Sequence, residues 1–241
     1  NTVRAWPALL GAKGKGVLYA SLTPVAGGVK PLLRLGFGPR RIYLLGGCLL
    51  GGKVVSAVWA YDPALDAWCE VASMATARGR HDVVALGGKL YVMGGADYRG
   101  MSLAEVEVYD PKADGWQPLP SMPTARKHLA AVAVAGKVYA IGGSDDVNLC
   151  DAVEAYDPIS GSWTQVASLP VARSHHTATV VDGKIYVVGG EIDDAEGGCV
   201  ATDRVDAYDP AADSWKWLAA MPTARDSHAA AVVDGKVYVT G

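Results

Sequence analysis

Basic side chains recur at one position of a repeating pattern in this sequence. Arg78, Arg126, Arg173 and Arg225 are separated by 48, 47 and 52 residues. All five histidines follow these arginines by two or three residues, at His81, His128, His175, His176 and His228. Guanidinium groups pair with carboxylates and phosphates, and the charge of imidazole changes near neutral pH. If these side chains meet around one axis, they form a cationic, pH-sensitive site for an anionic group.

The place two residues after each arginine is the part of this pattern that we expect to face a common opening. It is filled by Arg80, His128, His175 and Ser227. A nearby loop adds Tyr98 and Arg99. The full predicted binding set is Arg78, Arg80, His81, Tyr98, Arg99, Arg126, His128, Arg173, His175, His176, Arg225, Ser227 and His228.

Each histidine also has a purely structural interpretation, as a repeated residue bonded to neighbouring backbone. No metal site is expected from the histidines, because ligands from successive repeats would have to converge to about 2 Å from one ion. No cofactor is expected either, and no catalytic residue is assigned.

The elements that must position these side chains repeat with a period near 50. Glycine pairs begin at Gly46, Gly94, Gly142 and Gly189, and the chain stops at Gly241, where another pair would open. Tyr-Asp-Pro tripeptides begin 15, 15, 14 and 19 residues after the pairs, and a tryptophan follows each tyrosine by 7 residues. Each tryptophan lies 26 residues before the next glycine position. The segment from glycine pair to tyrosine is therefore the part that varies in length.

Paired glycines, Tyr-Asp-Pro and a spaced tryptophan at this period resemble the kelch repeat, in which each repeat forms one four-stranded propeller blade. The resemblance covers residues 41–241 and implies an all-β, kelch-type β-propeller of about five blades. We assign repeats to residues 46–93, 94–141, 142–188 and 189–240. Residues 1–40 are interpreted as a divergent, partly Gly-rich blade or linker, in which Trp6 begins a weak copy of the tryptophan segment. Kelch propellers usually have six or seven blades. We therefore expect that the blades of this chain form an open series that does not close into a ring, and that the chain is a fragment of a longer protein.

Within a regular repeat the pattern predicts four strands, a to d. Apolar runs such as residues 178–181 predict a buried strand a, and Asp182-Gly183 predicts a two-residue hairpin into strand b at 184–188. Strand c covers 153–156, and strand d begins near Trp163. The glycine pairs, tyrosines and tryptophans are interpreted as residues that pack one blade on the next.

An antiparallel meander places the b–c and d–a loops on one side, called the loop face, and the a–b and c–d turns on the opposite side, the turn face. The loop face collects the arginine positions, the histidines and the loops of variable length. Acidic residues lie in two of these loops, at Asp145-Asp146 and at Asp193, Asp194 and Glu196. Differing loops on one rigid scaffold are typical of a selective binding surface.

The composition of the chain limits the classes of partner that it is expected to bind. A net charge of −3 and a pI near 5.9 disfavour non-specific binding to nucleic acid or to anionic membranes. No apolar run approaches the roughly 20 residues of a membrane span. The four cysteines lack Cys-x-x-Cys spacing, and free thiols fit a reducing, cytoplasmic location.

Three classes of function follow from the resemblance. The first is a protein-interaction module that binds a protein partner through the loop face, as substrate-recognition adaptors do. A role in a ubiquitin ligase is possible, although this chain contains no F-box or BTB segment. The alternatives are a carbohydrate-active enzyme of the oxidase or epimerase type, and a scaffold without a discrete ligand. We expect the first.

Overall fold

A computed structural model describes residues 17–25, 28–36 and 41–241 of the chain, and every regular element in this part is a β-strand. Sheet I contains five strands in the order β2-β1-β3-β4-β5. Their bounds are β1 Val17–Val25, β2 Gly28–Gly36, β3 Ile42–Cys48, β4 Val54–Asp62 and β5 Ala67–Val71.

The next two sheets are regular four-stranded antiparallel meanders, as the repeat predicts. Sheet II contains β6 Asp82–Leu86, β7 Lys89–Met93, β8 Val106–Asp110 and β9 Gly115–Leu119. Sheet III contains β10 Ala130–Val134, β11 Lys137–Ile141, β12 Val153–Asp157 and β13 Ser162–Gln165. Strand pairing follows the chain, a with b, b with c and c with d.

Sheet IV carries an additional hairpin in its b–c loop. Its meander is β14 Thr177–Val181, β15 Lys184–Val188, β18 Val205–Asp209 and β19 Ser214–Trp217, and the hairpin is β16 Glu191–Asp193 with β17 Cys199–Ala201. Sheet V consists of β20 Ala229–Val233 and β21 Lys236–Thr240. The described residues therefore form an all-β architecture of five successive sheets, as the resemblance to kelch-type β-propellers implies.

The a–b hairpins have the turn geometry that their sequences predict. A type I′ turn needs positive φ at both central residues. Asp182 and Gly183 have φ of 49° and 75°, and Ala135 and Gly136 have φ of 50° and 77°. These short turns fix the strand register, because a shift of one residue would move every inward side chain to the opposite face.

Apolar side chains from the facing surfaces of neighbouring sheets form the core. One cluster joins sheets I and II through Tyr43 and Tyr109, another joins sheets II and III, and a third joins sheets III and IV through Tyr139 and Tyr208. In the first and third clusters the tyrosine rings meet edge to face, at centroid distances of 5.8 and 6.1 Å. The prediction that the repeated tyrosines pack one sheet on the next is confirmed for Tyr109, Tyr156 and Tyr208, which are buried.

The glycine pair after strand b has a steric reason to be glycine. Gly142 has φ of 53°, and a Cβ atom there would lie 2.8 Å from the carbonyl oxygen of Arg173. Gly143, with φ of 104°, donates its N–H to that same oxygen. The pair therefore brings the end of strand b against the following d–a loop, as close backbone approach requires.

The first sheet departs from the simple meander. β1 pairs with β3 in parallel, where strand a of a regular repeat is antiparallel to strand b, and β2 then pairs antiparallel with β1. Gly28, in the segment interpreted above as a partly Gly-rich blade or linker, is the first residue of β2. The predicted tryptophan segment at Trp6, and Gly11, Gly14, Gly16 and Gly27, lie outside the described residues. Within the described residues, no helix is long and apolar enough to cross a membrane.

Candidate functional site

The meander brings the d–a and b–c loops together on one side of the array, as expected for the loop face. Isolated β-bridges join the two kinds of loop at Lys127 with Ser144 and at Ser174 with Glu191. One surface region therefore contains the arginine position, the position two residues after it and the variable loops. We call the position two residues after the arginine the rim position. Their exposure and partners separate them into two layers.

The inner layer is formed by the arginines. Arg78, Arg126 and Arg173 have no exposed surface. The carbonyl oxygen of Arg126 accepts a hydrogen bond from Gly95 of sheet II, while its guanidinium group lies 2.8 Å from the Glu154 carboxylate of sheet III. The arginine therefore belongs to one sheet by its backbone and to the next by its side chain.

The same arrangement recurs at the neighbouring contacts. Arg78 Nη2 lies 2.7 Å from Glu107 Oε1 on β8, and Arg173 pairs with Asp206 on β18. Burial lowers the pKa of Arg78 and of Arg173, and the adjacent carboxylates oppose that shift. Arg225 is partly exposed, and its Nη1 donates to the carbonyl oxygen of Gly241 at 3.0 Å.

This burial corrects the prediction that Arg78, Arg126 and Arg173 bind a partner. Their guanidinium groups tie successive sheets together and are inaccessible. The sequence contained a signal for this role, because an acid stands two residues before the tyrosine in each repeat that an arginine precedes, at Glu107, Glu154 and Asp206. Position 59, which precedes Tyr61 in the same way, is tryptophan.

Three histidines belong to the inner layer as well. His81, His176 and His228 are buried, so the prediction that they line a binding surface is wrong. Burial, together with the charge of Arg78, lowers the pKa of His81 to about 3. Burial and Arg225 lower the pKa of His228 to about 4. The imidazoles of His81 and His228 are therefore neutral at physiological pH. All three histidines fill space beside the glycine pairs, as His176 does at 2.8 Å from a Cβ atom placed on Gly142.

The outer layer is the rim position, an arc of four residues in left-handed backbone conformation. The φ angles of Arg80, His128, His175 and Ser227 are 57°, 54°, 54° and 48°. Each backbone N–H donates to the carbonyl oxygen of the preceding member, at 2.9 Å from His128, 3.2 Å from His175 and 3.0 Å from Ser227. Positive φ is uncommon outside glycine and concentrates at functional positions. The structure thus joins the four predicted rim residues in one continuous arc.

The rings of His128 and His175 stack within this arc, with centroids 3.7 Å apart. Desolvation lowers the pKa of His128 to about 2, and His175, Arg80 and Lys127 act in the same direction. His128 is therefore neutral at physiological pH. His175 Nδ1 lies 3.0 Å from Glu191 and 2.9 Å from Ser174 Oγ. Permanent positive charge on the arc comes from Arg80, for whose guanidinium group no hydrogen bond or ion pair is found within the described residues.

The b–c loops surround the arc with exposed side chains. Tyr98 is 71% exposed, and Arg99 holds its ring by a hydrogen bond of 2.7 Å to the hydroxyl oxygen and by a cation–π contact. The sequence did not identify the exposed apolar residues of the same loops, at Met101, Val147 and Val200. Nor did it identify the hairpin β16–β17, whose strands have only three residues each.

One loop charge has a structural role that was not foreseen. Asp146 Oδ1 accepts hydrogen bonds from the N–H and Oγ of Ser102, at 2.9 Å each, and lies 3.1 Å from Lys127 Nζ. Lys127 Nζ also donates to the carbonyl oxygen of Gly100 at 2.7 Å. The hydrogen bonds from Ser102 and the contact with Lys127 lower the pKa of Asp146. These contacts fix the b–c loops of sheets II and III against each other, so the surface around the arc is preorganised.

No group of three or more His, Cys, Asp and Glu side chains in the described part of the chain is placed to hold a metal ion. The four cysteines are free thiols. No observation on these residues favours the alternative of a carbohydrate-active enzyme.

Comparison with known proteins identifies the family. The sequence model of the KLHDC2/KLHL20/DRC7 Kelch-repeats domain matches residues 37–241. No significant match is found among curated proteins. The match covers all four repeats, including both layers of the loop face. On this match and on the four-stranded sheets described above, the chain belongs to the kelch-repeat family, whose domains generally act as protein-binding modules.

Proposed function

We propose that this chain is a protein-interaction module that binds its partner on the loop face, at the arc formed by Arg80, His128, His175 and Ser227. The observation that carries the proposal is the arc itself. Its four residues have left-handed backbone conformation, and backbone hydrogen bonds join them across successive sheets. Arg80 supplies a guanidinium group there for which the described residues provide no hydrogen-bond or ion-pair partner, and such a group suits a carboxylate or phosphate of the partner.

The loops around the arc have the properties of an interface. Protein interfaces place aromatic and apolar anchors beside a few directed polar groups. Tyr98 and Val147 are 71% and 85% exposed on neighbouring loops, and the arc lies close to both through the bridges of the d–a and b–c loops. Because Asp146 and Lys127 hold these loops together, a partner would meet a surface that needs little ordering.

The test compares two variants in affinity capture from a lysate of the source cells. Arg80→Asn removes the guanidinium group, and asparagine tolerates the positive φ of this position. Lys112→Ala removes an exposed charge in a c–d turn, on the turn face, and serves as the matched control. We expect a partner that the wild type and Lys112→Ala retain and that Arg80→Asn loses. Equal capture by all three proteins would overturn the proposal.

A substrate-adaptor role in a ubiquitin ligase is a narrower form of the same proposal. It requires that the partner captured through Arg80 become ubiquitinated in a reaction that depends on this chain. A partner whose ubiquitination is unaffected by Arg80→Asn would leave the binding role intact and exclude the adaptor role.

A further inference from the structure

Sheet IV carries an exposed tryptophan where its outermost strand reaches the loop face. Strand d of each repeat runs from the c–d turn to the d–a loop, and Trp217 is the last residue of strand d in sheet IV, β19. Trp217 pairs with Asp206 of β18, so its ring lies on the side of the sheet that faces sheet III, where Asp206 pairs with Arg173. The Trp217 side chain is nevertheless 66% exposed.

This exposure is a property of the position in the repeat. In sheet II the residue paired with the strand c acid is Pro118, opposite Glu107, and in sheet III it is Gln165, opposite Glu154. Both residues are exposed, although each of these sheets packs between two described neighbours. Packing of neighbouring sheets therefore leaves the position open, and a tryptophan placed there remains accessible to a partner.

Arg204 holds the indole ring in place. Its Nε and Nη2 atoms donate to Oδ2 and Oδ1 of Asp206 at 2.7 and 2.8 Å, and its Cζ atom lies over the Trp217 ring, 5.4 Å from the centroid. The guanidinium group is thus bonded to a buried acid and packed against the indole at the same time. Because the ring is positioned before a ligand arrives, binding costs little side-chain entropy.

The fold explains Arg204 but not Trp217. At another contact the strand c acid accepts a hydrogen bond from the preceding d–a loop, as Glu154 does from the Thr124 hydroxyl. Within the described residues, the repeated arginine is the only donor of that loop that reaches Asp206, and Arg204 supplies further hydrogen bonds from its own sheet. Asp206 therefore accounts for an arginine at position 204. It does not account for a large apolar side chain left in water, because such exposure gains nothing from the hydrophobic effect.

The chemistry of the exposed indole limits the ligands that fit it. Trp217 Nε1 makes no hydrogen bond within the described residues, whereas Nε1 of Trp215 in the same strand donates to the carbonyl oxygen of Ala167. The site thus offers an apolar ring beside an N–H that lacks an acceptor. The positive charge of Arg204 on this ring disfavours a second cation, so a lysine or arginine of a partner is a poor ligand.

A proline-containing segment in the polyproline II conformation meets both requirements. Its backbone makes no internal hydrogen bonds, so its carbonyl oxygens are free to accept from an indole N–H. Its pyrrolidine rings are apolar and uncharged, and aromatic side chains are the surfaces on which such segments dock. The segment is extended before it binds, so little conformational entropy is lost.

We propose that Trp217 is a second interaction site of this protein, which binds a proline-containing, extended segment of a protein partner through the indole ring and its Nε1 donor. Trp217 lies on the outermost strand of sheet IV, whereas the arc lies beside the inner strands. The site is therefore separate from the arc, and the proposal does not depend on the function of the arc.

The test follows the indole N–H resonances of the ¹⁵N-labelled protein by NMR while a capped oligoproline peptide is added. Trp217→Gln identifies the Trp217 resonance by its disappearance, and glutamine occupies the equivalent position at Gln165, so this variant should fold. We expect a saturable shift of the Trp217 resonance and no shift for Trp215, whose N–H is engaged. An alanine peptide of the same length should bind at least about tenfold more weakly.

The dissociation constant of the fluorescently labelled oligoproline peptide is then measured by polarisation for three proteins. We expect it to be at least about tenfold higher for Trp217→Gln than for the wild type, because the aromatic anchor is lost. Arg80→Asn should bind the peptide like the wild type, since Arg80 belongs to the arc. Loss of binding in Arg80→Asn would place the peptide at the arc and overturn the proposal.

Three other results would also overturn it. The first is an oligoproline peptide that leaves the Trp217 resonance unchanged at every concentration. The second is equal binding by the alanine peptide or by Trp217→Gln. The third is tighter binding of an oligolysine peptide at Trp217, which would show that the site selects a cationic partner.

Discussion

Two positions of each d–a loop, only two residues apart, have opposite environments. Arg126 is fully buried and paired with Glu154, while His128 is partly exposed, has positive φ and belongs to the arc. The first position is arginine in all four repeats, and it ties each sheet to the next. The second is Arg, His, His and Ser. Uniformity within the repeat marks the structural position, and variation marks the one where side chains can meet a partner.

The largest effect should come from breaking an inner-layer tie. Arg126→Ala leaves the carboxylate of Glu154 buried without its cation, which typically costs about 3 to 5 kcal/mol. Urea denaturation followed by circular dichroism should show this loss in the free energy of unfolding. A loss below about 1 kcal/mol would mean that the inner layer does not hold the sheets together.

A second change tests the close approach of backbone at the glycine pair. Gly142→Ala places a Cβ atom 2.8 Å from the Arg173 carbonyl oxygen at positive φ, and we expect a loss of about 2 kcal/mol or more. Gly136→Ala is the matched control, because Gly136 also has positive φ but no atom within 4 Å of an added Cβ. If both variants lose the same stability, crowding by Arg173 contributes nothing.

The buried histidines should make stability depend on pH. His81 has a pKa of about 3 in the folded protein, against about 6.5 in an unfolded chain. Between these values the unfolded chain binds more protons, so the free energy of unfolding is highest above pH 6.5 and falls as the pH falls towards 3. Carboxyl groups whose pKa is lower in the folded protein than in the unfolded chain also stabilise the fold less as the pH falls, so they add to this trend. His81→Gln should therefore reduce the loss between pH 7 and pH 5 by about 1 to 2 kcal/mol, as measured by urea denaturation at both pH values.

The smallest effect on stability should come from the rim. Arg80→Asn removes a side chain for which no partner is found in the described part of the chain, and asparagine accepts its φ of 57°. We expect a change within about 0.5 kcal/mol in the free energy of unfolding. A loss comparable to that of Arg126→Ala would place Arg80 in the structural layer and remove the distinction between the two positions.

Much of the fold could be predicted because local chemistry determines it. Asp182-Gly183 specifies a turn with positive φ at both residues, and the strand predicted at 184–188 is β15, Lys184–Val188. The first sheet could not be predicted in the same way. The parallel pairing of β1 with β3 depends on contacts between strands, and no repeat motif records it.

The site could be predicted only in part. Spacing identified the arc, since Arg80, His128 and His175 occupy one place in the repeat. Spacing alone did not show that Arg78 and His81 point inward, because burial depends on a partner elsewhere, here Glu107 for Arg78. An arginine repeated beside a repeated acid is an indication of a buried pair, and it should be examined before such an arginine is assigned to a surface.

The most direct test of the account is photo-crosslinking of the captured partner from two positions. A photoreactive amino acid replaces Tyr98 on the loop face in one protein and Lys112 on the turn face in another. Both side chains are exposed, so either position can report on a bound protein. We expect the partner to crosslink from position 98 and not from position 112. Crosslinking from position 112 alone would contradict the assignment of binding to the loop face.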